Sequence, residues 1–272
     1  MTGLTEVCFF TFAREFKIYI FCNSIKMKYN NSKLSGCIKQ KSLEGVIEML
    51  NKNITIFGDA ASDRIFIQMV DEHDLKLMES EIAAIKEYTN TADWCLAAVP
   101  VRNWNQDLTP WKAAPVFGRQ GFGDGAEHTL REVLESVIPS LGQGGSSHTE
   151  RRYYLCGYSL AGLFALWAGY QTNSFAGIVA ASPSVWYPDW IDYARANRIQ
   201  SPAVYLSLGD REEKTKNPVM ATVGSAIREM HEILKTSCVS SCLEWNPGNH
   251  FADSDRRIAK GIAWMLNKGR LR

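Results

Sequence analysis

The chain has 272 residues, 46% of them hydrophobic and 22% charged, with a formal net charge of +1. That is the composition of an ordinary core-forming polypeptide, long enough for one large domain or two small ones. A net charge so near zero leaves no footprint for nucleic acid or an anionic membrane, so neither is expected as a partner. In chain order, residues 1–27 are rich in Phe, Cys and Lys and follow no clear period. Arg14, Glu15 and Lys17 interrupt their apolar patch and no small-residue cleavage site follows, so neither a signal peptide nor a membrane span is expected. Residues 1–27 therefore read as an N-terminal extension outside the fold, and residues 28–272 as a single α/β domain. Residues 43–50 suggest a short helix and residues 53–57 a strand closed by Gly58-Asp59. Arg64–Val70 is almost continuously apolar, the pattern of a strand buried on both faces.

Leu75, Leu77, Met78, Ile82 and Ile85 then recur at helical spacing over residues 75–88. Residues 94–101 form the next expected buried strand. The glycine-rich stretch 115–125 lacks the Lys-Ser/Thr and the close preceding strand of a phosphate cradle, so it reads as a loop shaping a pocket rim. A helix is expected over 126–138, stopped by Pro139, and then a Gly/Ser linker over 141–149. Later strands are expected over 177–181, 203–208 and 243–245, with helices over 160–168, 189–196, 219–235 and 253–267. Strands alternating with helices mean a mostly parallel sheet covered on both faces. The seven cysteines contain no C-x-x-C pair and no zinc-site spacing with histidine. Reduced thiols, a cytoplasmic location and no metal are expected.

The organising stretch runs from Tyr153 to Ala168. An apolar run turns sharply at Gly157-Tyr-Ser-Leu-Ala-Gly162 and continues as a Leu/Ala-rich helix. A serine flanked by small residues at a strand-turn-helix apex is the pattern of a nucleophile elbow, with Ala161 in the place of the usual last glycine. Ser159 would be the nucleophile, and the Leu160 backbone N–H would face a developing oxyanion. On its own the stretch fits equally a glycine turn before a core helix, so partners are needed.

In a parallel α/β sheet the loops after successive strands open on one edge. Asp210, Glu212 and Glu213 follow one later strand and His250 another, which puts serine, acid and histidine in the chain order of a hydrolase triad. A serine hydroxyl needs a neutral imidazole to take its proton, and the imidazole needs a carboxylate to fix its tautomer. His250, in a flexible turn before the last helix, is the expected base. His73, His128 and His231 fall in the wrong units, and His148 lies in the Gly/Ser linker, where a solvated histidine is expected. Glu212 is favoured as the acid because it lies a few residues past Gly209, with Asp210 next and Glu213 third. The second oxyanion donor is expected from a backbone N–H near Val70 or Asp71, with Asp71 favoured.

Four segments together carry a resemblance: Gly157-Tyr-Ser-Leu-Ala-Gly-Leu-Phe-Ala-Leu166, Ser182-Pro-Ser-Val-Trp186, Leu206-Ser-Leu-Gly-Asp-Arg-Glu212 and Gly248-Asn-His-Phe251. They resemble the esterase branch of the α/β-hydrolases that contains enterochelin-type siderophore esterases, feruloyl esterases and S-formylglutathione hydrolases. The resemblance covers residues 53–268. It implies an α/β-hydrolase fold and carboxylic-ester hydrolysis through an acyl-enzyme, with no metal or organic cofactor and a small-molecule ester as partner. Ser159 and His250 carry over directly; the acid carries over as Glu212, since members use either Asp or Glu. Trp104 and Trp186 are either aromatic pocket walls or packed core. No arginine cluster points at the site, so an anionic substrate is not favoured. Acyl transfer, thioester cleavage or peptide cleavage would use the same machinery, and a non-catalytic binding module is the remaining alternative.

Overall fold

The computed structural model describes residues 7–12, 15–22, 25–28, 54–116, 118–142 and 150–268. The chain divides into two compact units, Met1–Val46 and Ile47–Arg272. In the first, strands β1 (Val7–Phe12), β2 (Glu15–Cys22) and β3 (Ile25–Lys28) pair in that order as an antiparallel meander. The helix expected over residues 43–50 and most of the Gly/Ser linker, with His148, lie outside the described residues.

The second unit is built on a seven-stranded sheet. Its strands are β4 (Thr55–Gly58), β5 (Arg64–Val70), β6 (Cys95–Pro100), β7 (Arg152–Tyr158), β8 (Phe175–Ala181), β9 (Ala203–Gly209) and β10 (Ser240–Asn246). They lie in the order β10-β9-β8-β7-β5-β6-β4. Every pairing is parallel except that of β4, which runs antiparallel to β6 at the edge. The apolar runs occupy the middle of the sheet, because a strand covered on both faces cannot afford polar residues on either. β5 divides its side chains accordingly. Ile65, Ile67 and Met69 enter one core layer, while Phe66 and Val70 enter the other.

Helices cover both faces. One layer includes α5 (Leu160–Gln171), α6 (Trp190–Ala196) and α7 (Val223–Thr236). The other is made by α1 (Glu72–Tyr88) and α8 (Ser254–Lys268), which pack on each other as well as on the sheet. All of α5 except Gln171 is buried, as expected of a helix that is apolar all round. Short helices α2 (Trp104–Asp107), α3 (Ala126–Glu132) and α4 (Ile138–Leu141) complete the unit.

The single helix expected over 126–138 is interrupted by a π turn, Val133–Val137, in which the Ile138 N–H reaches the Val133 carbonyl. Pro139, which has no N–H to give, then falls in the first turn of α4, where none is needed. The helix expected over 219–235 begins instead with a 3₁₀ turn, Met220–Thr222, before α7. No helix among the described residues is long and apolar enough to cross a membrane.

Candidate active site

Ser159 sits between β7 and α5 with φ 57° and ψ −120°, a left-handed conformation that few non-glycine residues adopt. Strain of this kind costs on the order of 1–3 kcal/mol and persists only where the surroundings impose it. Here they do. The Ser159 N–H donates to the Ala181 carbonyl at 3.2 Å, and its carbonyl accepts from Ser184 N–H at 3.0 Å and Leu163 N–H at 3.0 Å. Gly157 is required by contact: a Cβ there would lie 2.2 Å from the Ala161 carbonyl carbon. Leu160 opens α5, and its N–H is taken by no acceptor among the described residues.

Three side chains from three loops meet at this turn. Ser159 Oγ lies 3.1 Å from His250 Nε2, and His250 Nδ1 lies 2.7 Å from Glu212 Oε2. An ionised carboxylate only accepts, so Nδ1 carries the imidazole proton and Nε2 is left to accept from the serine. Ser184 Oγ is a second neighbour of Ser159 Oγ at 3.3 Å. Hydroxyl, imidazole and carboxylate in this order are able to withdraw a proton from serine as it attacks.

Glu212 is held on every side. Its Oε1 accepts from Ser182 Oγ, the Gly209 N–H and Arg257 Nη1, each at 2.7 Å. Burial alone would raise its pKa, but the hydrogen bond and charge of His250, with the Gly209 and Ser182 donors, more than offset that and hold it below the ordinary value. Arg257, on α8, is 1% exposed. Besides Glu212, its Nη1 donates to Tyr158 Oη at 3.0 Å and Ser182 Oγ at 2.9 Å, and its Nη2 to the carbonyls of Pro247 and Asn249 at 3.1 and 2.9 Å. Tyr158 Oη in turn donates to the His250 carbonyl at 2.8 Å. Burial, then the charge of Glu212, push the Tyr158 phenol up to about 12, so it remains a donor. One guanidinium thus fixes both the acid and the loop that carries the imidazole.

Arg257, Tyr158, Ser182 and Ser184 were not singled out as site residues from sequence. Tyr158 fills the free position of the elbow motif and the two serines lie in Ser182-Pro-Ser-Val-Trp186, but nothing local assigns them a task. The signal for Arg257 is a cation beside Ile258, Ala259 and Ile262 on the buried face of an amphipathic helix.

The other expected residues fall as follows. The Asp71 N–H, expected as the second oxyanion donor, is not free: it donates to Asp74 Oδ2 at 3.1 Å while Asp71 Oδ1 accepts from the His73 and Asp74 N–H groups. Asp71 is the N-cap of α1, and the reciprocal capping box takes the donor. Asp210 turns to the Gly248 N–H at 2.9 Å, and Glu213 Oε2 to Arg228 Nη1 at 3.2 Å, so neither competes for His250. Trp186 lines a cavity of about 290 Å³ beside His250, where Phe122 backs it edge-on at 6.1 Å. Trp104 does not line it and packs instead against the core. The glycine-rich loop supplies that backing Phe122, pinned by an isolated antiparallel bridge from Ala113 to Phe122. Contrary to the sequence expectation, two cations, Arg211 and Lys214, line the same cavity.

No protein-family model matches the sequence, and neither does any curated protein. Solved structures do match. Siderophore hydrolase EstA from Aspergillus nidulans superposes with a TM-score of 0.61 at 18% identity, over 80% of this chain and 96% of its own. The BES protein from Bacillus cereus matches with a TM-score of 0.56 at 16% identity, over 97% of both chains. The enterobactin esterase FES from Shigella flexneri, in the presence of enterobactin, matches with a TM-score of 0.56 at 15% identity, over 79% of this chain and 55% of its own. The fold is that of the α/β-hydrolases. In this α/β-hydrolase frame Ser159 follows the central strand β7, Glu212 follows β9 and His250 follows β10, all at the edge where the parallel strands end.

Proposed function

We propose that the protein is a serine hydrolase of carboxylic esters, with Ser159 as nucleophile, His250 as general base and acid, and Glu212 as the orienting carboxylate. The observation that carries this reading is the hydrogen-bonded line from Ser159 Oγ through His250 to Glu212, at 3.1 and 2.7 Å. That a siderophore hydrolase and an enterobactin esterase share the fold supports an ester as the bond cleaved.

In the reaction, Ser159 Oγ attacks the ester carbonyl carbon while His250 Nε2 takes its proton. The carbonyl oxygen becomes an oxyanion, stabilised by the Leu160 N–H. Glu212 holds the imidazolium and its tautomer without itself becoming protonated. Collapse breaks the carbon–oxygen bond, and His250 returns its proton to the departing alcohol. A water then attacks the acyl-serine and loses a proton to His250; the acyl carbon–Oγ bond breaks, His250 returns that proton to Ser159 Oγ, and the acid leaves. This chemistry draws on no cofactor.

Labelling with a fluorophosphonate, mapped by peptide mass spectrometry and paired with turnover of 4-nitrophenyl acetate, tests the reading. Wild type is expected to carry the label on Ser159. Ser159→Ala and His250→Ala are each expected to lower turnover by up to about 10⁶-fold. An unlabelled Ser159 in folded wild-type protein would remove the hydrolase assignment.

A further inference from the structure

The cavity beside His250 has a polarity its surroundings do not neutralise. Its walls are apolar, from Trp186, Met220, Val223 and Phe251, while Arg211 and Lys214 supply two cations. Both sit on or next to the 3₁₀ turn Glu212–Lys214, whose backbone is tied down by Arg211 N–H to the Gly248 carbonyl and Lys214 N–H to the Arg211 carbonyl, each at 3.1 Å. The nearby acids are committed elsewhere. Glu212 is taken up by His250 and Arg257, and Glu213 by Arg228. Asp210 Oδ1 comes within 3.9 Å of Arg211 Nε, but it already accepts from the Gly248 N–H and both side chains are more than half exposed. Such a pair contributes little in water. Lys214 pairs with no carboxylate among the described residues. Phe251 is 88% exposed, a large apolar surface left uncovered at the mouth.

Position decides which half of a substrate this cavity receives. It is lined by His250 and Glu212 but not by Ser159. The imidazole must deliver its proton to the leaving oxygen, so the departing alcohol lies on the His250 side of the serine. We propose that Arg211 and Lys214 select esters whose leaving alcohol carries a carboxylate, the hydrocarbon between ester and carboxylate lying against Trp186, Met220 and Phe251. This specificity rests on the hydrolase reading above.

Three esters separate the possibilities: 4-(carboxymethyl)phenyl acetate, with the charge on the alcohol; 4-methylphenyl acetate, uncharged; and 4-methylphenyl hydrogen succinate, with the charge on the acyl half. Each kcat/KM is normalised to alkaline hydrolysis of the same ester. At low ionic strength the first is expected to exceed the second about tenfold, and the ratio to fall toward one in 1 M salt, where screening acts beyond ~3 Å. The ratio should also collapse in Arg211→Gln/Lys214→Gln but not in Lys235→Gln, a change in the last turn of α7, at the opposite end from the cavity-lining Val223. A ratio at or below one, a ratio that ignores both salt and the double substitution, or a gain that follows the acyl half would overturn the proposal. Calorimetry of 4-hydroxyphenylacetate against 4-methylphenol on Ser159→Ala reads the cavity without turnover. Tighter binding of the anion together with an inactive wild type would remove the hydrolase reading and leave the anion site standing. Turnover without charge discrimination would do the reverse.

Discussion

Among the described residues two glutamates are buried, and they meet opposite fates. Glu212 receives three donors on one oxygen and an imidazole on the other, and is held as an anion. Glu81, on α1 against the sheet, receives only Gln68 Nε2 at 3.1 Å, and its Oε1 has no partner among the described residues. Burial, reinforced by the charges of Asp74 and Asp255, pushes its pKa up to about 8. Depth without compensating donors, with acids nearby, therefore keeps a carboxyl neutral, and a carboxylate deep in a protein is built by the donors around it. α8 brings Arg257 to Glu212, whereas among the described residues no such cation reaches Glu81, which is a buried hydrogen-bonding acid.

The comparison breaks most sharply at Glu212. Glu212→Gln keeps the shape and removes the charge, and is expected to lower turnover by about 10⁴-fold. Asp210→Asn, which touches only an exposed contact, should stay within about tenfold of wild type. Steady-state kinetics on both variants decide it, and the reverse order would transfer the acid's role to Asp210. Arg257→Ala leaves Glu212 buried without its cation, and a loss of about 3–5 kcal/mol in urea unfolding is expected. An unchanged midpoint would mean that the Gly209, Ser182 and His250 donors suffice.

Glu81→Gln is the mildest test. The folded state holds the Glu81 proton up to about pH 8, whereas the unfolded chain sheds it near the ordinary value of 4.5. Between those values the unfolded state binds fewer protons, so the wild type loses stability as pH rises. The Gln variant should lack this slope. Urea midpoints at pH 5, 7 and 9 measure it, and parallel pH profiles for the two proteins would show that Glu81 is ionised in the fold.

The sequence made Ser159, Glu212 and His250 legible because each is announced locally: a small-residue turn for Ser159, a glycine closing a strand for Glu212, a Pro-Gly turn before a helix for His250. Their order along the chain then restricted how they meet. The parallel sheet was equally legible from alternating apolar runs, though the antiparallel direction of β4 was not, since an edge strand's pattern does not encode which way it runs. Arg257 and Tyr158 escaped because their roles exist only after α8 docks beneath the loop of His250. The reading of Asp71 as an oxyanion donor placed it correctly after β5 but overlooked Asp74, three residues on, whose carboxylate completes a capping box.

The place of Arg257 along the chain has a consequence for biosynthesis. A polypeptide leaves the ribosome N-terminus first, at about 5–20 residues per second. The elbow at Ser159 is therefore synthesised while His250, 91 residues beyond Ser159, and Arg257, 99 residues beyond Tyr158, do not yet exist. Until α8 is complete and docked, Ser159 lacks the imidazole of His250 beside it and Glu212 lacks the guanidinium of Arg257. On the proposed reading, reactivity arrives only with the finished fold.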